Sequence, residues 1–179
     1  MESLVAASYI TGVLDVTTTE LADDLVGGVM SAGPRRLEAA AQAGIPAVVA
    51  PGCLDMVNFW APESIPEKYR ERLFYRHNPN VTLMRTTPEE NRELGRRLAE
   101  KLNASRGPAA VYLPLRGISV ISAPGQPFYW PEADQALFQV IKESLRPEIS
   151  LHELDVNIND PAFAEAVAWE LLQLVKQTS

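Results

Sequence analysis

The sequence predicts an α/β protein, a three-layer sandwich around a mainly parallel, Rossmann-like sheet. Short apolar runs of strand length alternate along the chain with amphipathic stretches of helical period. The composition is that of a globular protein, since 46% of the 179 residues are hydrophobic and 22% are charged. A chain of this length is expected to bury one core of ordinary size. We therefore expect a single α/β domain over residues 1–179.

The first strand and the turn after it carry the strongest functional signal. Val13, Leu14 and Val16 predict a strand whose apolar run is broken by Asp15, and Glu20–Val26 has a helical pattern. Three consecutive hydroxyl-bearing residues, Thr17, Thr18 and Thr19, lie between them. A threonine N-cap leaves backbone N–H groups facing outward, so this corner is suited to an anion or a polar ligand. The alternative is that the threonines only cap the helix and satisfy their own backbone.

The later elements follow from apolar periodicity combined with cap and turn residues. A proline before it and a glycine after it bracket a helix over Arg35–Ala43. Thr87 and Glu90 form a capping box that begins a helix running to about Leu102. The segment Asn58–Asn80 has no regular period and is expected to be a long connection that serves as a lid or an interface. The other predicted elements are strands at Ala47–Ala50, Val81–Met84, Ala109–Leu113 and Ile149–Leu154 and helices at Pro131–Leu145 and Asp160–Gln177.

Ligands of parallel α/β sheets bind beyond the carboxyl ends of the strands, where the polar loops of this sequence lie. Arg85 offers a forked donor next to the predicted start of a helix, which makes it a candidate anion contact. We expect a bound anion to touch at least two of these loops. Burial of Arg85 in an ion pair with a carboxylate would instead make that motif structural. The candidate ligand-binding residues are Thr17, Thr18, Thr19, Ser31, Gly33, Gly52, Arg85, Thr86, Thr87 and Asn159.

Candidate catalytic groups are few. Glu20, Asp55 and His77 are the plausible proton-transfer groups, and their convergence is a hypothesis. Cys53 follows a predicted strand, but a lone cysteine is more often a small apolar filler than a nucleophile. His152 lies among apolar residues of a predicted strand, which favours packing over ligation. The histidine and cysteine spacings match no metal-binding pattern, so no metal site is predicted.

Charge and motif content exclude several classes of protein. The net charge of −7 and pI near 4.9 disfavour nucleic acid and anionic membranes as partners. The chain has neither a Walker loop nor a G-x-G-x-x-G fingerprint, which argues against a self-contained dinucleotide site. No apolar run approaches the length of a membrane span. The single Cys53 fits a reducing compartment, so a cytoplasmic location is expected.

Several long segments of the sequence are specific enough to point to a family. They are GVLDVTTTELADDLVGGVMSAGPRRLEAA, GIPAVVAPGCLDMVNFW, RHNPNVTLMRTTPEENRELG, AEKLN, GPAAVYLPLRGIS, FYWPEADQALF and NINDPAFAEAV. Together they resemble the Tm-one-like ATP-binding family, to which the plant tobamovirus-resistance protein belongs. The resemblance extends over nearly the whole chain.

The resemblance covers only the carboxyl-terminal half of the family's two-lobed unit. Residues 1–4 are similar to a helix that lies inside the family sequence, just after a glycine-rich loop. This implies that the amino-terminal lobe, to which ATP binding is mainly ascribed, is absent from the chain. No cofactor is therefore assigned, and ATP is expected only together with that lobe. The family's polar positions carry over to Thr17–Glu20, Ser31–Pro34, Gly52, Asp55, Asn58, His77–Asn78, Arg85–Thr87 and Asn159–Asp160.

Three functions remain open from the sequence. The first is a ligand-binding lobe that contributes a polar pocket for a nucleotide or other anionic metabolite, shared with the amino-terminal lobe. The second is an enzyme acting on a small carboxylate or phosphorylated metabolite, and the third is a protein-interaction module. The expected macromolecular partner is the amino-terminal lobe or a second copy of the chain. Residues 59–62 and the apolar face of residues 3–10 are the surfaces expected to associate.

Overall fold

The protein contains seven strands and six α-helices within residues 2–178, the part of the chain that the computed structural model describes. Two short 3-10 turns, Pro62–Ser64 and Glu67–Tyr69, lie between the third and fourth strands. The strands are β1 Val13–Thr17, β2 Ala47–Gly52, β3 Met56–Phe59, β4 Phe74–Asn78, β5 Val81–Arg85, β6 Ala109–Pro114 and β7 Ser150–Leu154. The helices are α1 Glu2–Ala6, α2 Glu20–Val26, α3 Glu38–Ala43, α4 Pro88–Asn103, α5 Pro131–Ser144 and α6 Pro161–Thr178.

A four-stranded parallel sheet in the order β1-β2-β6-β7 forms the centre of the molecule. Every residue of β2 and β6 is buried, as expected for central strands that are covered on both faces. On one face, Phe163 and Val167 of α6 pack against Val48 and Tyr112. On the other face, α2, α4 and α5 enclose the larger core. This layering confirms the predicted Rossmann-like sandwich.

A second sheet, which is antiparallel and has the order β3-β5-β4, accompanies the parallel one. The predicted strand Val81–Met84 exists, but it is the centre of this second sheet and not a member of the parallel sheet. The expectation that Asn58–Asn80 forms a long connection was wrong, because the segment holds the two 3-10 turns and β4. The sequence pattern does not reveal strands this short, because prolines and charged residues surround them.

The start of α3 differs from the prediction of a helix over Arg35–Ala43. The helix begins at Glu38, because Leu37 before it adopts a left-handed conformation with φ 73°. The Glu2 carboxylate of α1 accepts hydrogen bonds from the N–H groups of Leu37 and Ala39 at 2.9 and 3.0 Å. A carboxylate at this position satisfies free N–H groups and complements the helix dipole. A distant helix therefore caps α3.

The longer helices begin and end close to their predicted positions. The capping box of α4 is confirmed, since Thr87 Oγ1 accepts from the N–H of Glu90 and Glu90 Oε2 accepts from the N–H of Thr87. Helices α5 and α6 lie within one residue of the predicted boundaries. Within residues 2–178, no helix combines the length and apolar character needed to cross a membrane.

Candidate functional site

Loops at the carboxyl ends of the four parallel strands are hydrogen-bonded to one another. We term the segments Thr17–Glu20, Gly52–Asp55, Gly117–Ser122 and Asn157–Asp160 the carboxyl-edge rim. Each segment bonds to the next through the backbone. The N–H of Thr18 donates to Gly52 O at 2.9 Å, and the N–H of Cys53 donates to Ile118 O at 2.9 Å. The N–H of Ile158 donates to Gly117 O at 3.0 Å. The rim is thus one continuous surface where ligands of such sheets bind.

Asp55 is the most deeply buried acidic side chain of the rim. It is 0% exposed, and its Oδ2 accepts a hydrogen bond from Ser119 Oγ at 2.7 Å. Its Oδ1 is buried and has no hydrogen-bond partner. Burial raises the pKa of Asp55, while the Ser119 hydroxyl and the charge of Arg85 oppose that rise. An unpartnered buried oxygen of this kind is unusual in a folded protein and marks the position as functionally interesting.

Cys53 and Glu20 lie beside Asp55 at the rim. Burial, followed by the charges of Asp55 and Glu20, raises the pKa of the Cys53 thiol to about 12. A thiol with such a pKa is protonated at neutral pH and is a poor nucleophile, in accord with its predicted role as a filler. Glu20 Oε2 is a second buried carboxyl oxygen without a hydrogen-bond partner, although it lies 3.4 Å from Arg36 Nε.

The three threonines of the predicted anion corner have different environments. Thr17 is exposed at the end of β1, whereas Thr18 is buried and its Oγ1 donates to Ala50 O at 3.3 Å. Thr19 Oγ1 accepts from Asn58 Nδ2 at 3.1 Å. The expected threonine cap of α2 was wrong, because Thr19 has helical torsions and makes no side-chain cap bond. Of the three threonines, Thr17 is the one that is exposed to solvent.

Gly52 and Asn159 belong to the rim in different ways. A Cβ at Gly52 would overlap the carbonyl oxygen of Val16, so this glycine permits the close approach of β1 and β2. Asn159 is exposed, and its Nδ2 donates to Asn157 Oδ1 at 3.0 Å. Asn157 in turn donates to Ser119 O at 3.0 Å and joins two loops of the rim. Asn159 is therefore available to a ligand, while Gly52 shapes the backbone.

Ser31 and Gly33 lie in the loop between α2 and α3. Ser31 Oγ donates to Asp24 Oδ1 of α2 at 3.0 Å and accepts from the N–H of Gly33 at 3.0 Å. Asp24 also contacts Arg97 of α4 at 3.3 Å. These bonds attach the loop to the α2–α4 side of the molecule, and none of them reaches the rim.

Arg85 forms part of the framework of the protein. Its guanidinium is 0% exposed, and Nη2 lies 2.6 Å from Asp134 Oδ1. Nε donates to Phe128 O at 2.9 Å, and Nη1 donates to Thr86 Oγ1 at 3.2 Å. Thr86 Oγ1 donates to Leu54 O at 2.9 Å, and Thr87 is the cap of α4. By the criterion given above, the Arg85–Thr87 motif is structural.

A buried ion pair that sequence reasoning missed lies beneath the Thr17 corner. Arg36 Nη1 and Nη2 donate to the two carboxylate oxygens of Asp15 at 2.5 and 2.7 Å. Arg36 Nη2 also donates to Thr17 O at 3.4 Å. Burial lowers the pKa of Arg36, but the hydrogen bonds and charge of Asp15, together with the charges of Glu20 and Glu2, outweigh that effect and raise it. Arg36 follows a second arginine in a helix-like segment, and nothing in that local pattern distinguishes it.

The third candidate catalytic group, His77, lies away from the other two in the topology. It is exposed on β4, the outer strand of the antiparallel sheet. Glu20 and Asp55 both act electrostatically on Cys53 at the rim, and His77 is not among the groups that do so. Among the described residues, no group of three or more His, Cys, Asp or Glu side chains is arranged to hold a metal ion.

An open groove of about 950 Å³ lies beside the rim, along α5 and the loop that precedes it. Asp134, the carboxylate partner of Arg85, forms part of its wall together with Arg116, Ser122 and Tyr129. Ser122 belongs to both surfaces. It lines the groove, and its backbone N–H donates to Oγ of the rim residue Ser119. The groove and the rim are therefore adjacent.

Comparison with known proteins identifies the family. The family model described as "Uncharacterised protein family (UPF0261) C-terminal domain" matches residues 1–175. The chain is 51% identical over 178 residues to a UPF0261 protein of Clostridium tetani and 48% identical over 168 residues to one of Rhizobium meliloti. These alignments cover 99% and 93% of this chain but 44% and 42% of the relatives.

The relatives extend to plants. The ToMV resistance protein Tm-1 of Solanum lycopersicum is 42% identical over 176 residues, which are 97% of this chain and 23% of that protein. The chain thus spans less than half the length of these curated relatives. It belongs to the UPF0261 family, of which it represents the C-terminal domain.

Proposed function

We propose that this domain binds a small polar ligand at the carboxyl-edge rim, in a pocket that it shares with the remainder of a longer protein. The observation that carries the proposal is a pair of buried carboxyl oxygens that accept no hydrogen bond, Asp55 Oδ1 and Glu20 Oε2, of which Glu20 Oε2 lies 3.4 Å from Arg36 Nε. Both belong to the rim, and both act electrostatically on Cys53. Buried polar atoms without partners are uncommon, and a catalytic role or contact with a bound water or ion is among the explanations for them.

The ligand that fits the proposal is a nucleotide or another anionic metabolite, bound at this domain through its neutral polar part. Both buried arginines near the rim already have carboxylate partners, Arg36 with Asp15 and Arg85 with Asp134. The donors for a phosphate group would therefore come from the rest of the longer protein. The carboxylate of Glu20 suits the hydroxyl groups of a ribose, which acidic side chains bind in other nucleotide sites.

The length of the relatives supports a shared pocket. This chain corresponds to 44% of the Clostridium tetani protein, so most of that protein lies outside the matched region. An open rim with exposed Thr17 and Asn159 offers polar groups but little enclosure. Small-molecule sites usually bury most of their ligand, which a second lobe over the rim would accomplish.

A second candidate function is an enzyme acting on a small carboxylate or phosphorylated metabolite. The raised pKa of Asp55 favours it, because a carboxyl group that holds its proton more tightly than an ordinary aspartate is better suited to act as a general acid. Exposed His77 on β4 has no part in this candidate.

Association and location complete the proposal. Trp60 and Tyr9 are 52% and 80% exposed, and large exposed aromatic side chains are suited to an interface with the other lobe or with a second copy. Light scattering after size exclusion would distinguish a monomer from a dimer.

The unpaired Cys53 supports a cytoplasmic location.

Calorimetric titration tests the shared pocket. ATP, AMP and inorganic phosphate are titrated into this chain alone and into a two-lobed protein, in which it replaces the matching region of the Clostridium tetani relative. We expect at least one ligand to bind the two-lobed protein about tenfold more tightly than the chain alone. Equally tight binding by the chain alone would rule out the shared pocket.

Variants of the two-lobed protein test the rim. Glu20→Gln is expected to weaken binding about tenfold, the equivalent of about 1.4 kcal/mol, as for the loss of one charge-assisted hydrogen bond. Glu63→Gln, on an exposed 3-10 turn, is the matched control and should leave the affinity unchanged. If Glu20→Gln binds as the unaltered protein does, the ligand does not contact the rim at Glu20.

A further inference from the structure

One buried arginine contacts both ends of the first segment of the rim. The Nη1 and Nη2 atoms of Arg36 donate to the two carboxylate oxygens of Asp15, in β1, at 2.5 and 2.7 Å. Nη2 also donates to the carbonyl oxygen of Thr17, where β1 ends, at 3.4 Å. Nε lies 3.4 Å from Oε2 of Glu20, in the first turn of α2. A single guanidinium thus joins β1 to the residues that begin and end the segment Thr17–Glu20.

The backbone next to Arg36 is held in an unusual conformation. Leu37, the following residue, is buried and has φ 73°, a left-handed conformation that bulky side chains rarely adopt. Its N–H donates to Oε1 of Glu2 at 2.9 Å, and the same oxygen lies 3.5 Å from Arg36 Nη1. Backbone strain of this kind persists only where the surroundings over-determine it, and it clusters at functional sites. Arg36 is therefore held by its neighbours in the chain as well as by its own side-chain contacts.

The contact between Arg36 and Glu20 is an ion pair without a hydrogen bond. Among residues 2–178, Glu20 Oε2 has no hydrogen-bond partner, although it lies within ion-pair distance of Nε. The two bonds to Asp15, by contrast, are direct and charge-assisted. The Glu20 side chain is 30% exposed, so it extends from the buried guanidinium to the surface of the rim. Its carboxylate is thus attracted to a fixed position but is still able to accept a hydrogen bond.

We propose that Arg36 is a positioning residue that holds the Glu20 carboxylate at the rim for a hydroxyl group of the ligand. This inference rests on the proposed function and names the residue through which the rim presents Glu20. The carboxylates of Glu2, Asp15 and Glu20 all lie within 3.5 Å of this one guanidinium. Carboxylates therefore outnumber cations at this corner, which attracts a hydrogen-bond donor and repels an anion. The corner selects the hydroxyl-bearing part of a ligand over its phosphate or carboxylate.

Nitrogen-15 NMR of the full 179-residue chain tests whether the guanidinium is fixed. An arginine side chain that is bonded on several sides rotates slowly, so the Arg36 Nη hydrogens should give separate, slowly exchanging signals. The exposed Arg35 should give the averaged signal of a mobile guanidinium. An averaged Arg36 signal in the unaltered chain overturns the proposal, whether or not any variant folds.

Amide hydrogen exchange measures the effect of Arg36 on the rim. Arg36→Lys keeps the positive charge but loses the forked geometry that bonds both oxygens of Asp15. The Thr18 N–H should then exchange about tenfold faster relative to the Cys53 N–H, which belongs to the neighbouring rim segment. Arg35→Lys, at the exposed neighbouring position, is the matched control and should leave this ratio unchanged. An unchanged ratio in Arg36→Lys contradicts the proposal.

Ligand affinity distinguishes positioning from a purely structural role. AMP is titrated into the two-lobed protein, in which Arg36→Lys is expected to weaken binding about fivefold. In the Glu20→Gln background the same substitution should have no further effect, because Arg36 acts through Glu20. Losses that add in the double variant would show that Arg36 acts in another way and would overturn the proposal. If AMP does not bind the unaltered two-lobed protein, the proposed function fails for AMP, and the amide-exchange ratio still decides whether Arg36 holds the rim segment.

Discussion

Arg85 Nη2 lies 2.6 Å from Asp134 Oδ1 in a pair that joins β5 of the antiparallel sheet to α5 over the parallel one. The same guanidinium donates to the carbonyl oxygens of Phe128 and Trp130. This single side chain thereby holds the loop before α5 against the second sheet. Its position explains why a residue that resembles an anion contact in the sequence serves the fold.

Removal of Arg85 is expected to cost stability. Arg85→Ala leaves the Asp134 carboxylate and the Phe128 carbonyl without their donor, so the free energy of unfolding should fall by about 3–5 kcal/mol. Urea denaturation followed by circular dichroism measures it. The control is Arg92→Ala on the exposed face of α4, expected within about 0.5 kcal/mol of the unaltered chain. A near-neutral Arg85→Ala that loses anion binding would restore the original anion-contact hypothesis.

Gly52→Ala is expected to separate β1 from β2 locally. The new Cβ would overlap the carbonyl oxygen of Val16, which belongs to a sheet strand and cannot move aside as a flexible side chain could. We expect a loss of about 3 kcal/mol in the free energy of unfolding, at the upper end of overpacking effects. Gly125→Ala is the control for backbone strain without a steric clash, since Gly125 has φ +79° but an added Cβ there would have no neighbour within 4 Å. It should cost about 1 kcal/mol.

Cys53 is expected to react slowly with iodoacetamide in the folded protein. With its pKa near 12, its thiolate population at neutral pH is about a thousandfold below that of an ordinary cysteine. The rate should increase steadily with pH beyond pH 9, and Glu20→Gln should raise it by removing a nearby negative charge. The urea-unfolded chain supplies the reference rate. A folded protein that reacts as fast as the unfolded chain would contradict this assignment.

The stability conferred by Asp134 is expected to decrease as the pH rises. Its folded-state pKa of about 6 exceeds the ordinary value of 3.8, so the folded chain binds the proton more tightly than the unfolded chain does. The corresponding stabilisation is complete below about pH 4 and is lost as the pH rises through 6. Relative to Asp134→Asn, the unaltered chain should therefore lose about 1–3 kcal/mol between pH 4 and 7.5. Urea titrations across this range measure the difference, and a relative gain would refute it.

The sequence predicts the parallel sheet well because its signals are local. The apolar runs of β2 and β6 and the capping box of Thr87 and Glu90 are legible within a few residues, and the structure reproduces them. The antiparallel sheet lacks such signals. Its edge strand β4 is largely exposed, so the residues Arg76 and His77 do not reveal a strand by their hydrophobicity.

Less of the candidate site could be predicted, since several of its contacts join distant parts of the chain. The sequence predicts Glu20 and Asp55 as candidates, because polar residues that follow a strand are recognisable locally. The ion pairs of Asp134 with Arg85 and of Arg36 with Asp15 cannot be recognised in this way, because a buried arginine looks the same in sequence as an exposed one. Arg85 illustrates the difficulty, as its carboxylate partner is 49 residues away.

Asp23 of α2 connects the parallel layer to the antiparallel sheet. Its carboxylate oxygens accept from the backbone N–H and the side-chain Nδ2 of Asn58 in β3, each at 2.7 Å. This contact attaches the antiparallel sheet to α2 of the parallel layer, so we expect the two sheets to move together. Opening or closing of the rim is then expected in its loops. Amide exchange at Asn58 should accordingly require unfolding of the whole core, whereas exchange in Gly117–Ser122 should need only local opening.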